Sequence, residues 1–240
     1  NTTPKDPNHQ NIVILAQFIS ITALREAILR EWLDLEKSNQ IEEIAGYCFK
    51  ILKEIKNINQ NQLARLLAIM AKRQQALQNT EKLLKTLYES SIEILQSQSN
   101  GNSSDNHNIK ISSIILESLL TEYLAADNSS NISLSWEKHF TCKKEFQNNK
   151  LLNIFELVLA FLGHHYTEHF ANLLLTILSW NFVPKIKSRR AAMTQKDSEY
   201  IAFKPTSSWR SILLNDQTLQ SIFDICKNHP NHTTYSILQQ

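Results

Sequence analysis

A chain of 240 residues with only three glycines and five prolines holds one large domain or a row of repeats, and helix is its default. Phosphate-cradling loops, strained nucleophile turns and most β-hairpins need glycine where φ is positive, so chemistry built on them is disfavoured. A hydrophobic share of 42% argues against gross disorder, and 25 basic against 23 acidic residues argue against wholesale nucleic-acid binding.

Residues 1–10 are polar and carry Pro4 and Pro7, and they read as a loop. A helix is expected from Leu15 to Glu36, with Leu24, Ile28, Trp32 and Leu35 at helical spacing. Glu26, Arg30 and Asp34 follow at i, i+4 steps and support one another on the exposed side. The second helix runs from Gln40 to Lys56, with Ile44, Tyr47, Ile51 and Ile55 inward. In the third, Gln62 to Gln78, Leu63, Leu66, Leu67, Met70 and Leu77 form one stripe, and Arg65, Lys72 and Arg73 lie off it. A fourth spans Thr80 to Gln96, a polar loop Ser97 to Asn108, and a fifth helix Ile109 to Ala125. The odd-numbered helices begin at Leu15, Gln62 and Ile109, 47 residues apart each time. A helix pair recurring roughly every 40–47 residues is the period of HEAT and armadillo arrays.

Asp127 to Ser135 reads as a second polar loop, followed by a short helix, Trp136 to Phe146. The next helix, Leu151 to Leu162, is apolar nearly all round, so both of its sides should be covered. Its partner runs from Thr167 to Trp180, and Pro184 ends the pair. Lys185 to Thr206 is a long, partly basic loop, Ser208 to Leu214 a short helix, and Asp216 to Lys227 opens a pair whose second helix is cut off after Thr234. The expected fold is therefore all-α: one solenoid segment, residues 1–240, of antiparallel HEAT-like helix pairs stacked in a right-handed superhelix. Its flexible loops fall near 97–108, 127–135 and 185–206. Stacked pairs bury each other's apolar faces and leave a long curved surface, which suits protein partners more than a pocket for reactions.

Other features read plainly. The chain has no initiator methionine and starts and stops inside the pattern, so it is expected to be a fragment of a longer polypeptide. Asn11 to Leu24 has the apolarity of a signal-peptide core but lacks a basic flank before it, and reads as a soluble helix; no window is expected to reach the length of a membrane span. Cys48, Cys142 and Cys226 lack metal-ligand spacing and read as reduced, buried thiols. His165 and His169 stand at i, i+4 beside His164, but no patterned third ligand accompanies them, so no metal is assigned and the cluster reads as a polar turn. Trp32 and Trp180 read as core. Catalytic signatures such as Gly-x-Ser-x-Gly, the P-loop and His-Glu-x-x-His are missing; the chain reads as a binding protein without a cofactor, and not as an enzyme.

Five runs carry more specific information. They are LREAILREWLDLEK (Leu24–Lys37), AIMAKR (Ala68–Arg73), LLTEYLAADNSSNISLSWEKHFTCKKEFQ (Leu119–Gln147), LSWNF (Leu178–Phe182) and FKPTSSWRSILLND (Phe203–Asp216). In this order the set resembles the importin-β (karyopherin) superfamily, and most the exportin-4 family, over residues 12–228. Exportin-7 and its relatives share the general plan. The family's first helix is missing here, and the Asn-rich loop departs from the pattern. The resemblance implies a nuclear transport receptor that shuttles between nucleus and cytoplasm as a monomer. It would bind protein cargo together with the GTP form of Ran and touch Phe-Gly nucleoporins, with neither nucleic acid nor membrane as partner. The hypusine-bearing translation factor five A and Smad-type proteins are the cargo it implies. The alternative is a HEAT scaffold that assembles a complex without regard to nucleotide.

In the family the inner helices of the first repeats approach Ran. Carried onto this chain, that implies a Ran-binding stripe of Arg65, Lys72 and Arg73, with Arg30 as a further candidate. Arg65 and Lys72 are seven apart and share a helix face. Such a basic stripe would pair with acidic groups and steer association. Arg30 would be neutralised in part by Glu26 and Asp34.

Overall fold

The computed structural model describes residues 7–99, 106–124, 134–182 and 205–240, and every element among them is helical. The longest is α1, Pro7–Arg30, which starts with proline at its first position, where the missing N–H costs nothing. A bend at Glu31 separates it from α2, Trp32–Lys37. Then come α3 (Ile41–Glu54), α4 (Asn59–Gln78), α5 (Lys82–Ser99) and α6 (Asn106–Leu124). Next is α7 (Trp136–Phe146), which passes through a π turn, Gln147–Leu151, directly into α8 (Leu152–His164). The partner of α8 is α9, Glu168–Leu178. A 3₁₀ turn, Ser207–Trp209, leads into the short α10, Arg210–Leu213; α11 (Asp216–Asn228) and α12 (His232–Gln239) follow.

Asparagine makes the sharp turns that glycine makes elsewhere. Asn39 and Asn79 hold φ of 56° and 52° after α2 and α4, in the left-handed region asparagine tolerates best among residues with a Cβ. Hydroxyls and amides cap later helices: Thr167 starts α9, Asn215 α11, and Asn231 forms a capping box with Thr234 at α12.

The helices build two layers. Helix α1 packs on α4, α4 on α6, α6 on α9 and α9 on α12, which makes the inner layer. Each later inner helix has an outer mate: α3 with α4, α5 with α6, α8 with α9, α11 with α12. The outer helices also touch in sequence, α5 with α8 and α8 with α11. This is the helix-pair solenoid that the repeat spacing implied, and α4 and α6 begin 47 residues apart, at Asn59 and Asn106. One continuous core runs through it, from Ile21 and Trp32 at one end to Ile225 and Ile237 at the other.

Several expectations are corrected. Residues 7–10 are helical, so α1 begins eight residues before Leu15, at Pro7. In α3 the buried stripe is Ile41, Ala45, Cys48 and Leu52; Ile44, Ile51 and Ile55 are half-buried and Tyr47 is exposed. An outer helix presents one apolar strip to its mate and a second to its neighbour, and the pattern alone cannot say which is filled. Helix α4 has neighbours on nearly every side, so Ala64, Ala68, Ile69 and Ala71 are buried along with the leucine stripe. The expected loop 97–108 is helical at 97–99 and 106–108, its centre lying outside the described residues. The loops at 127–135 and 185–206 lie almost wholly outside them too. The helix of Trp136–Phe146 is not separate but the first half of a longer rod. Finally, Gln10–Arg30 is long and apolar enough to cross a bilayer by length and composition, contrary to the reading that no window is.

Candidate protein-binding face

The expected basic stripe divides once side chains are placed. Lys72 is fully buried. Its ammonium donates to the Glu122 carbonyl at 2.6 Å and pairs with the Glu122 carboxylate at 3.4 Å. The Tyr123 ring lies 5.7 Å away. Lys72 therefore belongs to the joint between α4 and α6, and cannot stand on a binding surface. The cause is α7, which lies against both α4 and α6 and covers this stretch of the inner layer. Burial raises the Glu122 carboxyl, while Lys72 and then Arg65 oppose that shift.

Arg65 stays exposed on α4, close enough to Glu122 to be felt electrostatically. Arg73 is half-buried. Its guanidinium stacks 5.1 Å from the Trp32 ring centroid, its Nε is buried without an acceptor, and burial lowers its pKa. Arg30 is exposed, but its partner is Glu31 at 2.7 Å and neither Glu26 nor Asp34. Those two acids are taken by Arg25 and Lys37. At consecutive positions around the break, Arg30 and Glu31 meet more closely than the i, i+4 pairs assumed for an unbroken helix.

The network around Lys72 draws on residues that sequence reasoning did not select. The Tyr123 hydroxyl donates to Gln75 Oε1 at 2.8 Å, and Gln75 Nε2 donates to Glu81 at 3.0 Å and Glu145 at 2.8 Å. One amide thus ties α4 to the start of α5, to α6 and to α7. Phe146 stacks between Tyr123, centroids 4.4 Å apart, and Trp180, 5.9 Å. Lys143 lies over Trp180 at 5.5 Å, and burial together with the nearby Lys72 pulls its pKa down to about 8. The signal was present in Lys72 itself: three residues after Ile69 and four before Ala76, it occupies an apolar face of α4.

The remaining candidates resolve simply. Trp32 and Trp180 are fully buried, and Trp209 joins them in the core against Phe155 and Phe182. Trp136 stacks on Phe140 at 4.9 Å. His164, His165 and His169 are exposed around the turn between α8 and α9. Cys48, Cys142 and Cys226 are free and buried; burial raises the first two to about 11, far from nucleophilic thiolates. A groove of about 1120 Å³ opens between α1 and α3.

A family model described as Exportin-4 matches residues 8–229, a span that takes in nearly all of the long apolar α1. The chain is 26% identical to "Exportin-4" of Dictyostelium discoideum over 230 residues, covering 85% of this chain and 20% of that protein. It thus spans about a fifth of the length of that curated relative. No solved structure matches.

Proposed function

The chain belongs to the exportin-4 family, and from that premise we propose that it supplies N-terminal helix-pair repeats to a nuclear export receptor whose inner layer binds Ran-GTP. Cargo of the kind the family implies, the hypusine-bearing translation factor five A and Smad-type proteins, then binds with the help of the rest of the polypeptide. Phe-Gly nucleoporins carry the receptor through the pore, and it shuttles as a monomer between nucleus and cytoplasm. Binding, not catalysis, is its role. The observation carrying the reading is Arg65, an exposed cation in the inner layer, held on a helix that is immobilised on nearly every side. Arg73 and Arg30 extend the basic face toward the α1–α2 break; Lys72 does not take part.

A rigid inner layer suits linkage. If Ran and cargo each favour one curvature of the stack, each raises the affinity for the other. Exposed cations on such a face speed encounter with an acidic partner and fix its orientation. The test is a titration of the full-length parent with Ran-GTP, wild type against Arg65→Glu. The expected result is affinity weaker by about tenfold, or about 1.4 kcal/mol, with the thermal midpoint unchanged. Equal affinities would remove Arg65 from the interface.

A further inference from the structure

Lys143 stands apart from the other charged groups where α4, α6 and α7 meet. Lys72 of α4 is held by Glu122 of α6. Tyr123 of α6 keeps its hydroxyl on Gln75, and Glu81, ahead of α5, and Glu145 of α7 both accept from the Gln75 amide. Lys143 makes neither an ion pair nor a hydrogen bond among the described residues; its ammonium lies over the Trp180 ring, 5.5 Å from the centroid. Lys72 repels it, and no carboxylate offsets that repulsion. The side chain is half-buried, and its Nζ is not sealed from solvent. A lysine that is partly desolvated and faced by a second cation sheds its proton readily and becomes a nucleophile.

The wall beside this amine lacks an acceptor. Trp180 is fully buried, and its Nε1–H has no partner among the described residues. A protonated lysine offers only donors, whereas an amide oxygen accepts. The indole face is flat and apolar, which suits a methyl group better than a bulky or charged one. We propose that Lys143 is a modification site, acylated without an enzyme by thioesters of small acyl groups, acetyl first among them. The ammonium gives one proton to water, and the freed lone pair attacks the thioester carbonyl. The C–N bond forms and the C–S bond breaks. Sulfur leaves with the electron pair as a thiolate, and the surplus proton on nitrogen passes to water. The product is a neutral amide, so the repulsion with Lys72 ends and a carbonyl oxygen is supplied where only donors stood. The site goes beyond the export reading and depends on neither Ran nor cargo.

The test incubates the full-length parent with acetyl-coenzyme A, then caps every remaining lysine with deuterated acetic anhydride in denaturant. Tandem mass spectra separate Lys143 from Lys144, its exposed neighbour in sequence. With a pKa of about 8, roughly a fifth of the Lys143 amines are neutral at about pH 7.4, against roughly one in a thousand for a lysine at 10.5. The less basic amine is the weaker nucleophile, which returns part of that advantage. Lys143 is therefore expected to react about fivefold faster than Lys144, or more, with a rate whose midpoint falls near pH 8. The double variant Lys72→Met with Glu122→Leu removes the facing cation while keeping the joint packed, and should lower the ratio of the two rates by about twofold or more. Equal rates at Lys143 and Lys144 in the folded parent would overturn the proposal. So would a preference for Lys143 that survives in denaturant, or a ratio unchanged in the double variant.

Discussion

Lys72 shows how much one buried charge decides. Removing one member of a buried ion pair leaves the other desolvated and uncompensated, which costs about 3–5 kcal/mol. Lys72→Met is expected to lower stability by that amount in denaturant melts, and the double variant Lys72→Met with Glu122→Leu to recover most of it. Lys72→Glu would set two carboxylates together in the core, so it unfolds the joint rather than probing a surface. Lys143 gives a pH signature. Its folded pKa of about 8 lies below the unfolded value of 10.5, so the unfolded chain binds more protons between those limits. Stability from this group therefore rises as pH increases from about 8 to 10.5, by about 3 kcal/mol at most. Melts of wild type and Lys143→Met across that window check it: the difference between them should shrink on the alkaline side. A parallel pH dependence in both proteins would contradict the assignment. Cys142, raised to about 11 in the folded state, acts in the opposite direction and is common to both.

At the scale of elements, α7 is the piece whose place the periodicity did not reveal. Its boundaries were legible, since Ser135 caps it and Phe146 ends it as read. Its continuity with α8 was not, because a π turn shifts the helical phase by one residue and breaks any 3.6-residue pattern across 147–151. That extra residue lets Phe146 face Tyr123 while Leu151, Ile154 and Phe155 face the core. Deleting exposed Asn149 should rotate α7 against α8 by about 100° and pull one of the two apolar sets into water. A clear fall in thermal midpoint is expected, together with new solvent quenching of Trp180. An unchanged melt would mean that the π turn is incidental. Helix α3 shows the companion ambiguity: Ile44, Tyr47, Ile51 and Ile55 made a credible inward stripe, but the filled stripe is Ile41, Ala45, Cys48 and Leu52. Both strips are apolar, and only the neighbours decide which is covered.

For the whole molecule, the repeat was readable because its cause is local: pairs of amphipathic helices separated by short polar turns at a near-constant interval. The all-α class and most helix bounds followed from that, but the mates are α3 with α4 and α5 with α6, one helix out of step with pairs that open at Leu15, Gln62 and Ile109. The exposure of the residues in the proposed binding face was only half readable. Charge on a helix predicts exposure until a third helix crosses over it, and α7 crosses over Lys72 but not Arg65. The quoted family-like runs explain themselves in the same terms. Glu122, Tyr123, Lys143, Phe146 and Trp180 are the parts of the joint between successive pairs, so what resembles the family is largely what holds the stack in register. The central claim is that this stack, within its full-length parent, grips a GTPase in one nucleotide state. The most direct measurement is the parent's dissociation constant for Ran loaded with GTP and then with GDP, with cargo present. The account predicts that the GTP form binds at least a hundredfold more tightly, and that Arg65→Glu narrows the gap. Equal affinity for the two forms would contradict it and leave a scaffold indifferent to nucleotide.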